Sequence, residues 1–226
     1  MALGILGGMG PQATCQLFQR IIKLTNAEND QDHIHTIIDS NTKIPDRTEY
    51  ILGNGKDPRP EMIKSIVKLE AMGVDNIAIP CNTAHFFYDD IKKYTKVNII
   101  NMIYEAGNYL RKNNKEDKEY LLLATEGTYK TRVYEKYFNA MGLNILVPDD
   151  RDKKILMTWI YKVKSSAIDI ELKEFEELVS KYTEAKDIPI IIGCTELSVL
   201  VEEIKYRKKY FDSMTILAKK CVELSI

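Results

Sequence analysis

The stretch "IAIPCNTAHFF", residues 77–87, opens with an alternating apolar run and ends in a polar turn that carries Cys81, Asn82 and Thr83. A similar stretch, "IIIGCTELSVL", occupies residues 190–200 and carries Cys194 and Thr195. Short apolar runs that stop at turn residues are typical of buried strands. Each cysteine is therefore expected just beyond the end of a strand.

Short apolar runs alternate with longer amphipathic stretches along the whole chain. The runs predict strands at 3–6, 33–39, 76–80, 97–101, 120–124, 144–148 and 188–192. The amphipathic stretches predict helices at 12–25, 60–73, 103–113, 129–142 and 171–186. This alternation indicates an α/β fold with doubly wound, mostly parallel sheets.

The chain also resembles two copies of one unit. "GILGGMGP" is similar in position to "LLLATEGT", and Leu122 stands 117 residues after Ile5, while Cys194 stands 113 residues after Cys81. The charged segment 111–119 is the predicted linker. We expect two pseudo-symmetric halves, 1–112 with Cys81 and 113–226 with Cys194, with a chain crossover at the C-terminus left open. Because ligands bind beyond the carboxyl ends of parallel strands, the active site is expected in the cleft between the halves.

Composition excludes several classes of protein. The chain has 226 residues and a formal net charge of −1, which gives no reason to expect nucleic acid or an anionic membrane as a partner. No apolar stretch reaches the length of a membrane span, and the N-terminus has no signal-peptide pattern. The four cysteines lie far apart without CxxC spacing, so neither disulfides nor a zinc site are expected. His33 and His35 have no evident third ligand, so no metal site is predicted. The cysteine usage suits a reducing compartment, so the cytoplasm is the expected location.

A cysteine at a strand end that precedes a helix meets the positive end of the helix dipole, which favours a thiolate. The neighbouring N–H groups, with the side chains of Asn82, Thr83 and Thr195, can hold a carboxylate. Two facing thiols, one charged and one neutral, can remove a proton from a carbon and return one to the opposite face, which is racemisation. A decarboxylation, or an isomerisation through a covalent thiol adduct, would suit the same pair. Cys15 and Cys221 lie in amphipathic helices and are expected in the core.

Five ordered motifs resemble the aspartate/glutamate racemase family, and most closely its aspartate racemases. They are "GILGGMGPQAT" (4–14), "IPDRT" (44–48), "IPCNTAH" (79–85), "LATEGT" (123–128) and "GCTEL" (193–197). The resemblance implies a racemase that needs no cofactor and no pyridoxal phosphate, built from two α/β halves and usually a homodimer. It implies that Cys81 and Cys194 are the acid–base pair, with Cys81 acting on the D form and Cys194 on the L form.

Further positions follow from the resemblance. Arg47 resembles the arginine that grips the distal carboxylate of a small dicarboxylic amino acid, a task that suits a guanidinium. Lys164 resembles a second cation of the site, although Lys162 lies close by. Met9 resembles a residue that lines the cleft. Thr125 and Thr128 are expected to donate hydrogen bonds to a carboxylate, although turn capping would also explain them.

Several alternatives remain open at this point. A glutamate or hydantoin racemase, a maleate isomerase and an arylmalonate decarboxylase belong to the same superfamily, and aspartate differs from glutamate by a single methylene. Gly8, Gly10 and Ala13 also fit a dinucleotide-binding loop, with Asp39 as a ribose-binding acid. A binding protein that keeps the cleft without turnover is a third alternative. Glu126 places an anion near a site intended for dicarboxylates, unless its side chain points away.

Overall fold

A computed structural model describes residues 1–114, 116–184 and 187–226 as two parallel sheets flanked by helices. The strands are Leu3–Gly7 (β1), Thr36–Ser40 (β2), Asn76–Ala78 (β3), Asn98–Ile100 (β4), Glu119–Ala124 (β5), Asn144–Leu146 (β6), Ile190–Gly193 (β7) and Tyr210–Asp212 (β8). The helices are Pro11–Leu24 (α1), Arg47–Ile51 (α2), Arg59–Ala71 (α3), Tyr88–Ile91 (α4), Met102–Asn113 (α5), Glu126–Thr131 (α6), Val133–Asn139 (α7), Asp150–Lys164 (α8), Leu172–Thr183 (α9), Thr195–Glu203 (α10) and Ser213–Ser225 (α11). Short 3₁₀ helices occupy Asp30–Asp32, Thr83–Phe87 and Lys92–Tyr94.

The two sheets have the same strand order. The first runs β2-β1-β3-β4 and the second β6-β5-β7-β8, and every strand pair is parallel. The strands that precede the two cysteines, β3 and β7, hold equivalent places in their sheets. The predicted α/β fold with two similar halves is thus confirmed.

Two predicted elements need correction, and one strand was missed. The segment 33–39 becomes a strand only from Thr36, and β8 escaped prediction because three edge residues are too short to show alternation. The helix predicted at 129–142 is two helices, since Arg132 adopts a left-handed φ of 52° between α6 and α7. In the predicted helix 171–186, residues 185 and 186 lie outside the described residues, as does residue 115 of the predicted linker.

Two helices pack across the halves. Ile103 and Leu110 of α5 lie in one apolar cluster with residues of the second sheet such as Leu122. The C-terminal helix α11 packs in return on the first sheet, where Leu217 shares a cluster with Ile5. This exchange ties the halves together, while the boundary between residues 112 and 113 stays a prediction.

The glycines and the remaining cysteines give local checks of the sequence interpretation. Gly73 and Gly142 follow α3 and α7 with φ of 80° and 73°, the left-handed geometry predicted for helix-ending glycines. Cys221 is buried in α11, as expected. Cys15 is exposed, so its placement in the core was wrong; the buried face of α1 carries its neighbour Thr14 instead.

Within residues 1–114, 116–184 and 187–226, no helix is long and apolar enough to cross a membrane. The same residues form no cluster of three or more histidine, cysteine, aspartate or glutamate side chains that could hold a metal ion.

Candidate active site

A cavity of about 420 Å³ opens between the two halves. One wall is the loop that follows β1, together with the segment that leads into α2. The opposite wall is the end of α8 and the first turn of α10, with Lys164 and Glu196 facing the opening. Loops that follow β1, β2 and β7 reach this cavity from both halves, and neither Cys81 nor Cys194 is among the described residues that line it.

The loop after β1 is held in shape by Thr14 of α1. The hydroxyl of Thr14 accepts the N–H of Gly8 at 2.9 Å and donates to the carbonyl of Gly10 at 3.0 Å. Gly8 has a φ of 88°, and a Cβ there would lie 2.4 Å from the backbone carbon of Asn41. The loop therefore needs glycine at this position. Met9 in this loop is buried, and its carbonyl oxygen accepts a hydrogen bond from Arg47.

Arg47, the first residue of α2, is a buried cation with 7% exposure. Its guanidinium donates to the carbonyls of Pro45 at 3.0 Å and Met9 at 3.3 Å, and its Nε has no hydrogen-bond partner among the described residues. Burial alone would lower the pKa of Arg47, but the charges of Cys81 and Asp46 raise it above its ordinary value. Arg47 is therefore a fixed positive charge next to Cys81.

The turn at Cys81 differs from the predicted helix start. Cys81 lies three residues beyond β3 and is followed by the 3₁₀ helix Thr83–Phe87 rather than by an α-helix, so the helix-dipole argument does not apply there. His85 takes the predicted packing role. Its Nδ1–H donates to the Cys81 carbonyl at 2.9 Å, and its Nε2 accepts the Met102 N–H at 3.1 Å. Burial lowers the pKa of His85, which keeps the ring neutral and joins the Cys81 turn to α5.

Three predicted binding residues form a cluster of hydroxyls. Thr83 Oγ1 lies 2.8 Å from Thr125 Oγ1 and 3.1 Å from Thr128 Oγ1, and the last two lie 3.0 Å apart. All three are buried, and they connect the Cys81 turn with the start of α6 in the other half. Glu126 beside them is exposed, which removes the concern that its charge occupies the site.

Cys194 follows β7 directly and forms the N-cap of α10. Its thiol donates to Glu196 Oε2 at 3.1 Å, and the Thr195 hydroxyl donates to the same oxygen at 3.3 Å. Burial raises the pKa of Cys194 well above its ordinary value, and the neighbouring Glu196 carboxylate raises it further. The prediction that this turn would lower the thiol pKa was therefore wrong, because burial and a like charge outweigh the helix start.

A chain of buried hydrogen bonds joins the two cysteine turns from behind. Tyr134 donates to Asn82 Oδ1 at 2.7 Å, Asn82 Nδ2 donates to Ser213 at 3.2 Å, and the Ser213 hydroxyl donates to the Ile192 carbonyl at 2.8 Å. Asn82 adjoins Cys81, and Ile192 lies two residues before Cys194. The Ser213 hydroxyl completes this link.

Lys164 and Asp46 meet at the cavity from opposite halves. Lys164 Nζ lies 3.3 Å from Asp46 Oδ2, whereas Lys162 pairs with Asp169 at 2.6 Å and does not line the cavity. Burial would lower the pKa of Lys164, but Glu196 and Asp46 raise it.

Two anions of the cavity, Asp46 and Glu196, were missed as site residues in the sequence. Asp46 stands inside "IPDRT" and Glu196 inside "GCTEL", so both motifs contained the signal. The cavity therefore pairs the two predicted cations, Arg47 and Lys164, with two carboxylates.

Glu196 offers a direct test of the electrostatics at Cys194. We expect Glu196→Gln to lower the pKa of Cys194, since the substitution removes the negative charge that opposes a thiolate. The pH midpoint of Cys194 alkylation by iodoacetamide, followed by peptide mass spectrometry, should fall by roughly one unit or more. Glu126→Gln, which removes an exposed carboxylate, serves as the control and should leave the midpoint unchanged. An unchanged midpoint in Glu196→Gln would show that burial alone sets the pKa.

Comparison with known proteins agrees with this fold. The family described as Asp/Glu/Hydantoin racemase matches residues 6–221. The chain therefore belongs to this family and is an amino-acid racemase that works without pyridoxal phosphate. Membership favours a racemase over the dinucleotide-binding alternative.

Individual relatives cover nearly the whole chain. The broad specificity amino-acid racemase RacX of Bacillus subtilis (strain 168) is 28% identical over 97% of this chain and 96% of its own length. The structure of the Picrophilus torridus aspartate racemase is 30% identical, covers 100% of this chain and 94% of its own, and superposes with a TM-score of 0.85. Glutamate racemase from Francisella tularensis, solved with D-glutamate, shares the fold with a TM-score of 0.70 at 16% identity over 99% of this chain and 80% of its own.

Proposed function

We propose that this protein interconverts L- and D-aspartate through the thiols of Cys81 and Cys194. The observation that carries the proposal is Arg47, a buried cation beside Cys81 whose Nε has no partner among the described residues. A buried guanidinium N–H without a partner is costly, and a carboxylate would satisfy it. With Lys164 on the same cavity, the site suits a substrate that has a carboxylate on its side chain.

The two thiols differ in their surroundings. The Cys194 thiol donates a hydrogen bond to Glu196, which supports its role as the acid, while the guanidinium of Arg47 lies next to Cys81. A Cys81 thiolate would take the α-proton of one enantiomer, and the Cys194 thiol would deliver its own proton to the opposite face of the carbanion. The reverse reaction exchanges the roles, and Cys81 is assigned to the D form.

The remaining predicted residues complete the proposal. The hydroxyls of Thr83, Thr125, Thr128 and Thr195, with the amide of Asn82, would hold the α-carboxylate, and Met9 would line the cleft. The division into residues 1–112 and 113–226, a homodimer and a cytoplasmic location are proposed with it on the strength of the family resemblance.

The first experiment is a substrate panel with the purified protein. L- and D-aspartate and L- and D-glutamate are incubated separately, and enantiomers are quantified by chiral chromatography. We expect both aspartate enantiomers to converge on a racemic mixture faster than glutamate does. Aspartate should also protect Cys81 and Cys194 from alkylation. Racemisation of glutamate but not aspartate would contradict the proposed substrate.

A further inference from the structure

The ion pair between Lys164 and Asp46 lies across the cavity in which the proposed substrate would bind. The two residues are 118 positions apart in sequence and come from opposite halves, yet Nζ and Oδ2 lie 3.3 Å apart. Both side chains are more than two-thirds buried, with 27% and 29% exposure. The charge of Lys164 in turn keeps the pKa of Asp46 low although burial would raise it, so Asp46 stays ionised.

This pair gives Lys164 a carboxylate partner before any substrate arrives. Among the described residues, four charged side chains line the cavity: Arg47, Lys164, Asp46 and Glu196. Glu196 accepts the Cys194 thiol, and Arg47 is held by backbone carbonyls, so Asp46 is the carboxylate in contact with Lys164.

The pair has opposite consequences for acidic and neutral substrates. A substrate with a neutral side chain leaves the pair intact and therefore does not strand an unpaired charge in a partly buried site. An acidic side chain must instead compete with Asp46, because two carboxylates at one ammonium repel each other.

We propose that Asp46 is a specificity-determining residue that extends the substrate range from acidic to neutral amino acids. It does so by taking the place of the substrate's side-chain carboxylate at Lys164. The inference rests on the proposed function, since it takes Lys164, together with Arg47, as a cation for the side-chain carboxylate of aspartate. It implies that the wild-type protein racemises asparagine, which has the shape of aspartate without its side-chain charge.

The structure offers a substitution that removes only the charge. Asp46 is also the N-cap of α2, and its Oδ1 accepts the N–H groups of Thr48 at 2.8 Å and Glu49 at 3.1 Å. Asparagine caps helices as well as aspartate does, so Asp46→Asn should keep the start of α2. Asp149→Asn is the matched control, because Asp149 caps α8 in the same way but is exposed and does not line the cavity.

The test compares kcat/KM for L-aspartate with kcat/KM for L-asparagine. In Asp46→Asn the aspartate-to-asparagine ratio should rise about two- to fivefold, the effect expected for one partly exposed ion pair. Asp149→Asn should keep the wild-type ratio. An unchanged or lower ratio in Asp46→Asn, with aspartate still racemised by the wild type, would overturn the inference and leave the proposed function standing.

A binding measurement separates this inference from turnover. Succinate has two carboxylates and no α-amino group, so it can occupy the cations without reacting. Titration calorimetry should show succinate bound about fivefold more tightly by Asp46→Asn than by the wild type. Equal or weaker binding would overturn the inference. If the wild type binds succinate but racemises neither aspartate nor asparagine, the proposed function fails. The comparison of succinate binding between the wild type and Asp46→Asn then still tests the role of Asp46 at Lys164.

Discussion

Serine in place of either cysteine should abolish racemisation while leaving half of the chemistry in place. A serine hydroxyl has too high a pKa to act as the base, and it is a far weaker acid than a thiol. Losing one acid–base group costs roughly 10²- to 10⁴-fold in rate. Each variant nevertheless keeps one thiol, and that thiol can still remove and return a proton on its own face of the substrate.

The distinguishing measurement is exchange of the α-hydrogen in D₂O, followed by NMR for each enantiomer separately. Cys81→Ser should exchange L-aspartate and Cys194→Ser should exchange D-aspartate, each without inversion. Cys15→Ser and Cys221→Ser are the controls: one thiol is exposed on α1 and the other is buried in α11, so neither lies in a turn beyond β3 or β7. Exchange of the same enantiomer by both variants, or wild-type racemisation by either, would exclude the two-thiol mechanism.

The fold could be predicted from the sequence because its strands are local. Buried strands such as β1 and β7 are short, almost wholly apolar and bounded by turn residues, so each is recognisable without knowledge of the rest of the chain. The repeated motifs at Cys81 and Cys194 indicated the two halves. The break at Arg132 could not be predicted, since the left-handed conformation of a non-glycine residue depends on how the adjoining helices pack.

The electrostatics of the site could not be predicted, because they depend on which way side chains point. Glu196 follows Cys194 by two residues, and only the start of α10 turns its carboxylate back onto the thiol. The contact between Asp46 and Lys164 joins opposite halves, so no local sequence pattern predicts it. The family resemblance therefore predicted Arg47 and Lys164 as cations of the site, whereas the roles of Asp46 and Glu196 depend on contacts that the sequence does not show.

Arg47→Ala should have the largest effect on substrate binding of any substitution outside the two cysteines. Removing one member of a buried, hydrogen-bonded charge pair costs about 2–5 kcal/mol, which corresponds to roughly 30-fold to several thousand-fold in kcat/KM for aspartate. For the substrate alanine, which has no side-chain carboxylate, the same substitution should lower kcat/KM much less, if alanine reacts. Arg47→Lys keeps the charge but not the planar fork that binds a carboxylate with two parallel bonds, so it should restore only part of the activity.

Arg59 provides the control for Arg47, since Arg59→Ala removes a guanidinium that pairs with Asp57 and Asp90 and does not line the cavity. The guanidinium of Arg47 also lies beside Cys81 and donates to the Met9 carbonyl. Aspartate turnover at the wild-type rate in Arg47→Ala would show that the arginine only supports the loop, and the dicarboxylate preference would then need another residue.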